Sequence, residues 1–375
     1  MSKILCVHSF EPNGDERPKF NAISYHRILK PHQVLCRLYP EFEVVHTPRA
    51  VELSDEFLEQ FSLVLFLRYI DLAENIDPIV AQLKRLGIKF GVDTDDYWYL
   101  SKNHLAAKAY EENKLTESII KSLKVCDFVI CTTTILQDKI KELNKNVYII
   151  ENGIDTEDYS WQIRKNQSDR VRFGFLQGST HIHDLYLISH DVVKSLESKQ
   201  FKEKGQIALA FYYKNNEPSI TVGYERILTN HLQALDANYR KNLILGIEDN
   251  SSQPYKRLPF REVHEFGEMY NDIDVSVSPL EDNEFNACKS ELKMIEAGFM
   301  GCAAMVSNVN PYSLICNSEN SFMLSERNFF YWQRYILNNP SALEDKKAAL
   351  KETVRKYDLS LLALKRKQLY ELIIK

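Results

Sequence analysis

The chain has 375 residues, too many for one ordinary hydrophobic core, so its length predicts two domains. A hydrophobic content of 44% and a charged content of 26% are typical of a soluble globular protein. The formal net charge of -5 excludes a global basic field, so charge does not suggest a nucleic-acid partner, although a local basic cleft stays open.

The cysteines and the apolar runs indicate the compartment. The seven cysteines are an odd number, are spread along the chain and include no Cys-x-x-Cys pair, which argues against a disulfide framework and a zinc site. The N-terminus turns polar too early for a signal peptide, and no apolar run approaches the ~18–20 residues of a membrane span. We therefore expect a cytoplasmic protein without a transmembrane segment; peripheral membrane contact and the oligomeric state stay open.

The first half of the chain alternates strand-like and helical patterns. The predicted strands are residues 4–8, 43–46, 63–67, 89–92, 128–132 and 147–150. The clearest helical patterns lie between them, at residues 76–86, 111–125 and 134–143, and a long loop is predicted at residues 9–22. Because strands separated by helices pair in parallel through right-handed crossovers, this half is predicted to be a Rossmann-like domain.

The second half repeats this alternation. The turn signal Asn152-Gly153 and the polar residues 164–170 mark a domain boundary. Strands are then predicted at residues 171–176, 207–212, 243–246, 264–265 with their neighbours, 274–278 and 303–306, and a Leu-rich helix at residues 359–374. Two α/β domains in tandem predict a ligand cleft at the carboxyl ends of their strands.

The most informative window is residues 285–298, which lie between two predicted strands. A strand, a loop and a helix with polar residues in its first turns make a common anion site. On one continuous helix, Lys289, Lys293 and Glu296 would share a narrow face. Two lysines four apart repel by roughly 0.2–0.5 kcal/mol unless an anion sits between them, and a pyrophosphate would supply it. A solvated charged stripe is the alternative.

Several segments together resemble one family. They are the Asn-Gly-Ile-Asp run at 152–155, the strand and loop at 173–185, the strand, loop and helix at 274–296, the strand at 301–307, residues 25–27 with Pro31, and the Asp-Thr-Asp-Asp run at 93–96. In this combination the chain resembles GT-B glycosyltransferases, and specifically the retaining glycosyltransferase family 4 type. The likeness covers nearly all of the second half.

The resemblance implies an architecture and a chemistry. It implies an α/β GT-B fold in which residues 1–155 form an acceptor domain and residues 156–356 form a nucleotide-sugar donor domain facing it across a cleft. Residues 357–375 would form a helix that packs back on the first domain. It also implies metal-independent, front-face transfer from a nucleoside-diphosphate sugar, with UDP or GDP as the nucleotide and no further cofactor.

Three departures from the family pattern stand out. The usual motif has two glutamates eight residues apart; Glu296 fits the second, but Cys288 occupies the place of the first. The sequence follows instead a Phe-Asn-x-x-Lys-Ser-x-x-Lys-x-x-Glu variant that resembles bacterial and phage members. The usual glycine-rich loop is reduced to Asn13-Gly14, and no arginine–lysine pair follows Gly178. The candidates to replace that pair are His181, His183, Lys289 and Lys293.

The pattern and the resemblance together assign three sets of site residues. The predicted catalytic residues are Lys289, Asp95 and His183. The predicted donor- and nucleotide-binding residues are Gly178, Ser179, His181, Ser290, Glu291, Leu292, Lys293 and Glu296. The predicted acceptor-binding residues are His8, Asn13, Gly14, Arg27, Arg68, Asp96 and Tyr97.

Each donor assignment has a plainer alternative. Lys289 and Lys293 would offset the charge that grows on the departing diphosphate, which is a large catalytic effect where the charge is preorganised. Glu296 would bind ribose hydroxyls, as the family's matching glutamate does, or would only pair with Lys293. Gly178 would let a phosphate approach the backbone, or is an ordinary turn glycine. His181 and His183 would donate to the ligand or are ordinary surface histidines.

The first-domain residues also admit alternatives. Asp93, Asp95 and Asp96 form an Asp-x-Asp pattern that binds metal in another glycosyltransferase architecture, whereas the GT-B resemblance implies that they line the cleft or shape a loop. Tyr97 and Trp98 would stack on a sugar ring or pack in the core. His8 and the arginines admit structural or solvated roles.

The acceptor is the least determined feature. A glycan or lipid-linked glycan is the first expectation, and hydroxymethylated bases in DNA are the second, because the variant motif is similar to phage members. DNA binding would require a positive rim and a salt-sensitive affinity. A non-catalytic nucleotide- or sugar-binding protein is the third alternative, because the first glutamate is missing.

Overall fold

The computed structural model of the chain describes residues 2–13, 16–49, 52–100, 104–178, 181–212 and 253–375. The chain divides into two compact units. Unit 1 consists of Met1–Asp155, Ala287–Ser290 and Tyr357–Lys375. Unit 2 consists of Thr156–Asn286 and Glu291–Lys356.

Unit 1 is built on a six-stranded parallel sheet. Its strands are β1 (Ser2–His8), β4 (Phe42–Pro48), β5 (Leu63–Leu67), β6 (Lys89–Asp93), β7 (Phe128–Cys131) and β8 (Val147–Ile149). They are arranged in the order β4-β1-β5-β6-β7-β8, and every residue of β5 is buried, as expected for the apolar central strand of a parallel sheet. Two further strands, β2 (Phe10–Asn13) and β3 (Glu16–Phe20), form a separate antiparallel hairpin.

The helices of unit 1 follow the strands along the chain. They are a π-helical turn (Ser24–Leu29), α1 (Lys30–Leu38), α2 (Asp55–Leu58), α3 (Ile76–Arg85), α4 (Ala107–Glu112), α5 (Leu115–Val125), α6 (Thr134–Lys141) and the final helix (Leu359–Ile374). The Asp358 side chain caps the final helix by accepting a hydrogen bond from the Ser360 amide. Its Leu362 and Ala363 pack with Val34 of α1 in a buried cluster.

Unit 2 has the doubly wound strand order. Its parallel strands are β9 (Val171–Phe175), β10 (Gly205–Tyr212), β11 (Tyr255–Pro259), β12 (Val275–Ser278), β13 (Ala303–Ser307) and β14 (Ser321–Leu324). The order β11-β10-β9-β12-β13-β14 reverses direction between β9 and β12. In open α/β sheets, ligands bind outside the carboxyl ends of the strands at such a switch point.

The helices of unit 2 lie between and after these strands. They are α7 (Ile182–Tyr186), α8 (Ser189–Glu197), α9 (Lys199–Lys204), α10 (Glu284–Ala287), α11 (Leu292–Phe299), α12 (Phe329–Asn338) and α13 (Pro340–Val354), with 3₁₀ segments at Tyr159–Trp161, Val263–Asp272 and Tyr312–Leu314. Gly298 lets α11 approach α13, because a Cβ there would lie 2.7 Å from Val354 Cγ2. Across the described ranges, none of the helices combines the length and apolar character needed to span a bilayer.

Most strands predicted from the sequence are confirmed, and two expectations are wrong. The strand predicted at residues 264–265 is a 3₁₀-helix, because Phe266, Met269 and Tyr270 recur at helical spacing on its buried side. The loop predicted at residues 9–22 contains the β2–β3 hairpin. Asn-Gly is also a hairpin signal, so Asn13-Gly14 allowed that prediction. β11 and β14 were not predicted, and residues 243–246 lie outside the described residues.

Candidate functional site

The window at 285–298 is not one helix. α10 ends at Ala287 and α11 begins at Leu292, so Lys289 does not share a helical face with Lys293 and Glu296, and that prediction is wrong. Tertiary contacts fix the intervening residues instead. The Cys288 side chain is fully buried, and Ser290 accepts a hydrogen bond from Asn152. This tertiary hydrogen bond joins Ser290, which lies outside both helices, to a residue 138 positions away.

A charged cluster lies where β5 and β6 end in unit 1. Arg68, the first residue after β5, forms an ion pair with Asp96, and its Nε lies 3.7 Å from Asp95 Oδ1. Lys289 Nζ lies 3.8 Å from Asp96 Oδ1. We call these four residues the Arg68 cluster. It brings together predicted site residues from three separate stretches of the sequence.

Backbone strain and charge distinguish this cluster. Arg68 has a φ of 66°, a left-handed conformation that is uncommon outside glycine, and its amide donates to Asp93 O at 2.7 Å. Burial alone would lower the pKa of Arg68, but Asp96 and Asp95 raise it above its usual value. Burial, reinforced by the charge of Asp96, raises the pKa of Asp95 to about 6. Burial and the neighbouring Asp96 carboxylate thus both disfavour the charged form of Asp95.

A buried polar network runs beside this cluster. Arg27 Nε donates to Asp93 Oδ1 at 2.7 Å, and Arg27 Nη1 donates to Asn152 Oδ1 at 3.0 Å. Asn152 Nδ2 donates to Ser290 Oγ at 2.7 Å. Arg366 of the final helix reaches the other carboxylate oxygen of Asp93 at 3.4 Å. Arg27 is fully buried in unit 1, so its contacts favour a structural role, and acceptor binding by Arg27 stays a prediction.

The Asn-Gly-Ile-Asp run at 152–155 has a structural explanation. A Cβ on Gly153 would lie 2.4 Å from the carbonyl oxygen of Tyr357. Ile154 exchanges backbone hydrogen bonds with the segment that starts the final helix, and Asp155 accepts from Arg37 at 2.9 Å. Asn152 alone of the four reaches Ser290. The run therefore anchors the start of the final helix and one predicted donor residue.

In unit 2, the carboxyl ends of β9, β12 and β13 are tied together. Gln177 donates to Pro279 O at 3.2 Å, and the Leu280 amide donates to Ser307 Oγ at 2.9 Å. Asp184 joins the same edge, because its carboxylate accepts from the Glu281 amide at 2.8 Å. This edge is the switch point of the sheet.

Glu296 is buried between two donors. Tyr270 Oη donates to Glu296 Oε2 at 2.7 Å, and Lys293 Nζ donates to the same oxygen at 3.0 Å. Lys293 also lies over the Phe266 ring, 4.5 Å from its centroid. Burial, reinforced by the neighbouring Glu296 carboxylate, raises the pKa of Tyr270 well above its usual value, so the phenol stays protonated and donates. The ion pair named above as the alternative exists, and ribose binding by Glu296 stays a prediction.

The predicted residues near the end of β9 have different environments. Apart from its two chain neighbours, no described residue has an atom within 4 Å of a Cβ built on Gly178, so packing in that part of the chain does not require glycine there. His181 Nδ1 lies 2.7 Å from Asp184 Oδ2, whereas His183 is exposed and its ring lies beside that of Tyr186. Ser179 lies outside the described residues.

The beginning of helix α11 holds two further predicted donor residues. Glu291 is buried, and its carbonyl oxygen accepts from the Met294 amide at 2.9 Å in the first turn. Leu292, the first helical residue, is half-buried. The first backbone N–H groups of a helix have no partner within it, so this turn is a place where an anion can bind.

The remaining predicted acceptor residues are mostly buried. His8 Nε2 lies 3.2 Å from His46 Nδ1, and burial, with His46 and Arg49 nearby, lowers the pKa of His8 to about 3. Tyr97 and Trp98 are buried with ring centroids 4.8 Å apart, an arrangement of aromatic core packing. Asn13 ends β2, and Gly14 lies outside the described residues.

The aspartates of the Asp-x-Asp pattern and the adjacent Asp96 form ion pairs with two different sets of residues. Asp93 pairs with Arg27 and Arg366 inside unit 1, whereas Asp95 and Asp96 face Arg68. In the portion of the chain that the structure describes, no group of three or more His, Cys, Asp or Glu side chains is arranged to hold a metal ion.

Comparison with known proteins identifies the architecture. No protein-family model and no curated protein matches the chain. The structure aligns with a glycosyltransferase from Rickettsia africae at a TM-score of 0.62 and 10% identity, over 100% of this chain and 99% of that one. It aligns with HepE from Anabaena in complex with UDP at a TM-score of 0.61 and 9% identity, over 99% and 100% of the two chains. The chain has a GT-B fold.

A third solved structure shares this fold. It is an alpha-glucosyltransferase in complex with UDP and a 13-mer DNA containing an HMU base, matched at a TM-score of 0.58 and 9% identity over 100% of both chains. At such low identities the likeness establishes the fold alone. The predicted fold class, an α/β chain with two Rossmann-like sheets, is therefore confirmed.

Three residues important to the site's structure were assigned no side-chain role from the sequence, and a fourth, Asp93, was predicted only as one of three carboxylates that line the cleft or shape a loop. Asn152 was noted only as part of a motif. Arg366 had a signal, because it falls on the apolar stripe of the final helix with Leu362 and Tyr370. Tyr270 had none, since nothing in the sequence relates it to Glu296, 26 residues away.

Proposed function

We propose that the chain is a retaining glycosyltransferase that moves a sugar from a nucleoside-diphosphate sugar to a hydroxyl group of a glycan or lipid-linked glycan. The observation that carries the proposal is the GT-B fold over the whole chain, shared with a Rickettsia africae glycosyltransferase and with proteins bound to UDP. UDP is therefore the first nucleotide to test and GDP the second. The proposal includes no cofactor, and it places the enzyme in the cytoplasm because free cysteines fit a reducing compartment.

The proposal gives the donor a cationic and hydrogen-bonding environment. Lys289 and Lys293 supply positive charge for the diphosphate, Ser290 supplies a hydroxyl, and the first backbone amides of α11 supply further donors. The half-buried position of Lys289 and Lys293 favours this role, because charges shielded from bulk water interact more strongly.

The transfer step is proposed to occur on one face of the sugar. The bond between the anomeric carbon and the diphosphate oxygen breaks, and the acceptor hydroxyl oxygen attacks from the same face, which retains configuration. The departing diphosphate takes the hydroxyl proton while Lys289 offsets its growing negative charge. Asp95 and Asp96 orient the acceptor hydroxyl, and Arg68 holds both carboxylates.

A donor panel tests the proposed function. The chain is incubated with UDP-, GDP-, ADP- and dTDP-sugars, and release of the nucleoside diphosphate is measured with and without candidate glycan acceptors. We expect slow hydrolysis of at least one donor and faster turnover with an acceptor. Binding of a nucleotide without turnover of any donor would favour a non-catalytic binding protein.

A second acceptor class has one observation in its favour. An alpha-glucosyltransferase of the same fold is bound to a DNA that contains an HMU base. Transfer to DNA containing a hydroxymethylated base, but not to the unmodified duplex, would support this candidate. Its affinity for DNA should then fall steeply with salt, because phosphate contacts release counterions. No transfer to such DNA, with transfer to a glycan, would exclude it.

Gly178→Ala tests phosphate approach at the end of β9. The substitution should leave the melting temperature unchanged or slightly higher, since a compatible Gly→Ala change stabilises by about 0.4–1 kcal/mol. UDP affinity should nevertheless fall about tenfold, ~1.4 kcal/mol, because the new methyl group occupies the space of the phosphate. Calorimetry with UDP and a thermal melt measure the two effects.

Gly298→Ala is the matched control for this variant. Its Cβ would lie 2.7 Å from Val354 Cγ2, so overpacking should cost about 1–3 kcal/mol of stability without changing UDP affinity below the melting transition. Wild-type UDP affinity in Gly178→Ala would contradict a phosphate contact at this glycine.

Glu296→Gln tests ribose binding. Glutamine keeps the volume of the buried side chain but removes its charge, so we expect UDP affinity to fall at least about tenfold, ~1.4 kcal/mol. Tyr270→Phe is the matched control, because it removes one hydrogen bond to Glu296 and leaves the carboxylate and Lys293 in place. If Glu296 is only structural, both variants will melt at a lower temperature and neither will lose affinity.

A further inference from the structure

The hydrogen bonds around Asn152 have a defined direction. Arg27 Nη1 lies 3.0 Å from Asn152 Oδ1, and Asn152 Nδ2 lies 2.7 Å from Ser290 Oγ. A guanidinium group only donates, so the amide oxygen must face Arg27 and the amide nitrogen must face Ser290. Asp93 fixes Arg27 in turn, through a buried ion pair at 2.7 Å.

This direction determines what the Ser290 hydroxyl can do. Ser290 Oγ accepts from Asn152, so its own hydrogen is not used in that bond and is available to a different acceptor. The residue is half-buried, and within the described part of the chain the Asn152 bond is the one hydrogen bond of its side chain. Its chain neighbour is Lys289, whose ammonium is in the Arg68 cluster. A hydroxyl donor and a cation carried by consecutive residues suit an anionic ligand such as a phosphate.

We propose that Asn152 is a positioning residue that commits the Ser290 hydroxyl to donate a hydrogen bond to a phosphate oxygen of the nucleoside diphosphate. The inference rests on the proposed function and extends it, because it assigns the direction of one ligand hydrogen bond and the residue that sets it. It also explains why an amide suits position 152. An aspartate there has no donor, so Ser290 would have to donate inward and would present only lone pairs to the phosphate.

Asn152→Asp is the central test, because it conserves shape and reverses this direction. We expect its UDP affinity to fall about tenfold, ~1.4 kcal/mol, and that of Ser290→Ala to fall by the same factor. Combining the two substitutions should cause no further loss, since each removes the same outward hydrogen bond. If the new carboxylate acted instead by repelling the diphosphate, its effect would add to that of Ser290→Ala.

Asn152→Ala distinguishes a role in setting the direction of the Ser290 hydrogen bond from a role in supporting the fold alone. Alanine removes both hydrogen bonds of the amide but leaves the Ser290 hydroxyl free to donate outward. The proposal therefore predicts a smaller loss of UDP affinity in Asn152→Ala than in Asn152→Asp, whereas a residue that only supports the fold would give the opposite order. Asn338→Asp controls for net charge, because its exposed oxygen accepts from Gln200, a bond that aspartate also makes.

Calorimetry with UDP, and a thermal melt of each variant, decide the question. Wild-type affinity in Asn152→Asp, an additive loss in the double variant, or a larger loss in Asn152→Ala would each overturn the proposal. If Asn152→Asp does not fold, Ser290→Thr and Ser290→Ala provide the test. Ser290→Thr keeps the hydroxyl and should bind UDP within about threefold of wild type, unlike Ser290→Ala. Equal UDP affinity of the wild type, Ser290→Thr and Ser290→Ala would overturn the proposal. Failure of the wild type to bind UDP or GDP would instead refute the proposed function, and the inference with it.

Discussion

Lys289→Ala is expected to lower kcat about 100-fold while changing KM for the nucleotide sugar by less than about threefold. The physical reason is that the ammonium meets charge that develops on the leaving diphosphate, so its interaction is stronger in the transition state than in the bound substrate. Lys289 is half-buried and held 3.8 Å from Asp96, so it is partly preorganised before any ligand binds. Initial rates of donor turnover over a range of donor concentrations give both constants.

Two further variants serve as controls for Lys289→Ala. Lys289→Arg keeps the positive charge and should retain kcat within about tenfold of wild type, less than full activity because arginine is not an isosteric cation. Lys145→Ala removes an exposed lysine of the same unit and should leave both constants unchanged. A rise in KM with an unchanged kcat in Lys289→Ala would show that the lysine binds the ground state and does not assist the chemical step.

The fold was predictable because its signals are local. A buried strand such as β5 is an unbroken apolar run, and the helices between strands carry apolar residues at helical spacing, so each element is recognisable alone. Parallel pairing then follows from the alternation of strands and helices. The 3₁₀-helix Val263–Asp272 was assigned wrongly because a short apolar segment fits both periodicities, and only packing decides between them.

The site was less predictable because its decisive contacts are long-range. The sequence indicates that residues 285–298 matter, but it does not show the break between α10 and α11, where Ser290 is hydrogen-bonded to Asn152, 138 residues away. Likewise, the sequence alone does not distinguish the roles of Asp93, Asp95 and Asp96. Their environments differ because Arg27 and Arg366 take the first, whereas Arg68 holds the other two. These differences depend on tertiary neighbours, which the spacing of residues in the sequence does not predict.

Arg27→Met is expected to destabilise unit 1 by roughly 3–5 kcal/mol, the largest loss of stability that we predict. Arg27 and Asp93 are both fully buried, with Nε and Oδ1 2.7 Å apart, so methionine would leave a carboxylate charge in the interior. Arg366 Nη1 is 3.4 Å from Asp93 Oδ2 and offsets only part of that charge. Thermal and urea denaturation, followed by near-ultraviolet circular dichroism, measure the change.

An ion pair of equal length on the surface is the matched control. Arg85 and Asp55 are also 2.7 Å apart but exposed, so Arg85→Met should cost only about 0–1 kcal/mol, because water screens the charge that remains. Adding Asp93→Asn to Arg27→Met should recover part of the lost stability, since it removes the unpaired charge. Equal stability of Arg27→Met and Arg85→Met would mean that Arg366 alone compensates Asp93. In that case the full burial of Arg27 would have to be explained by the hydrogen bond that it donates to Asn152.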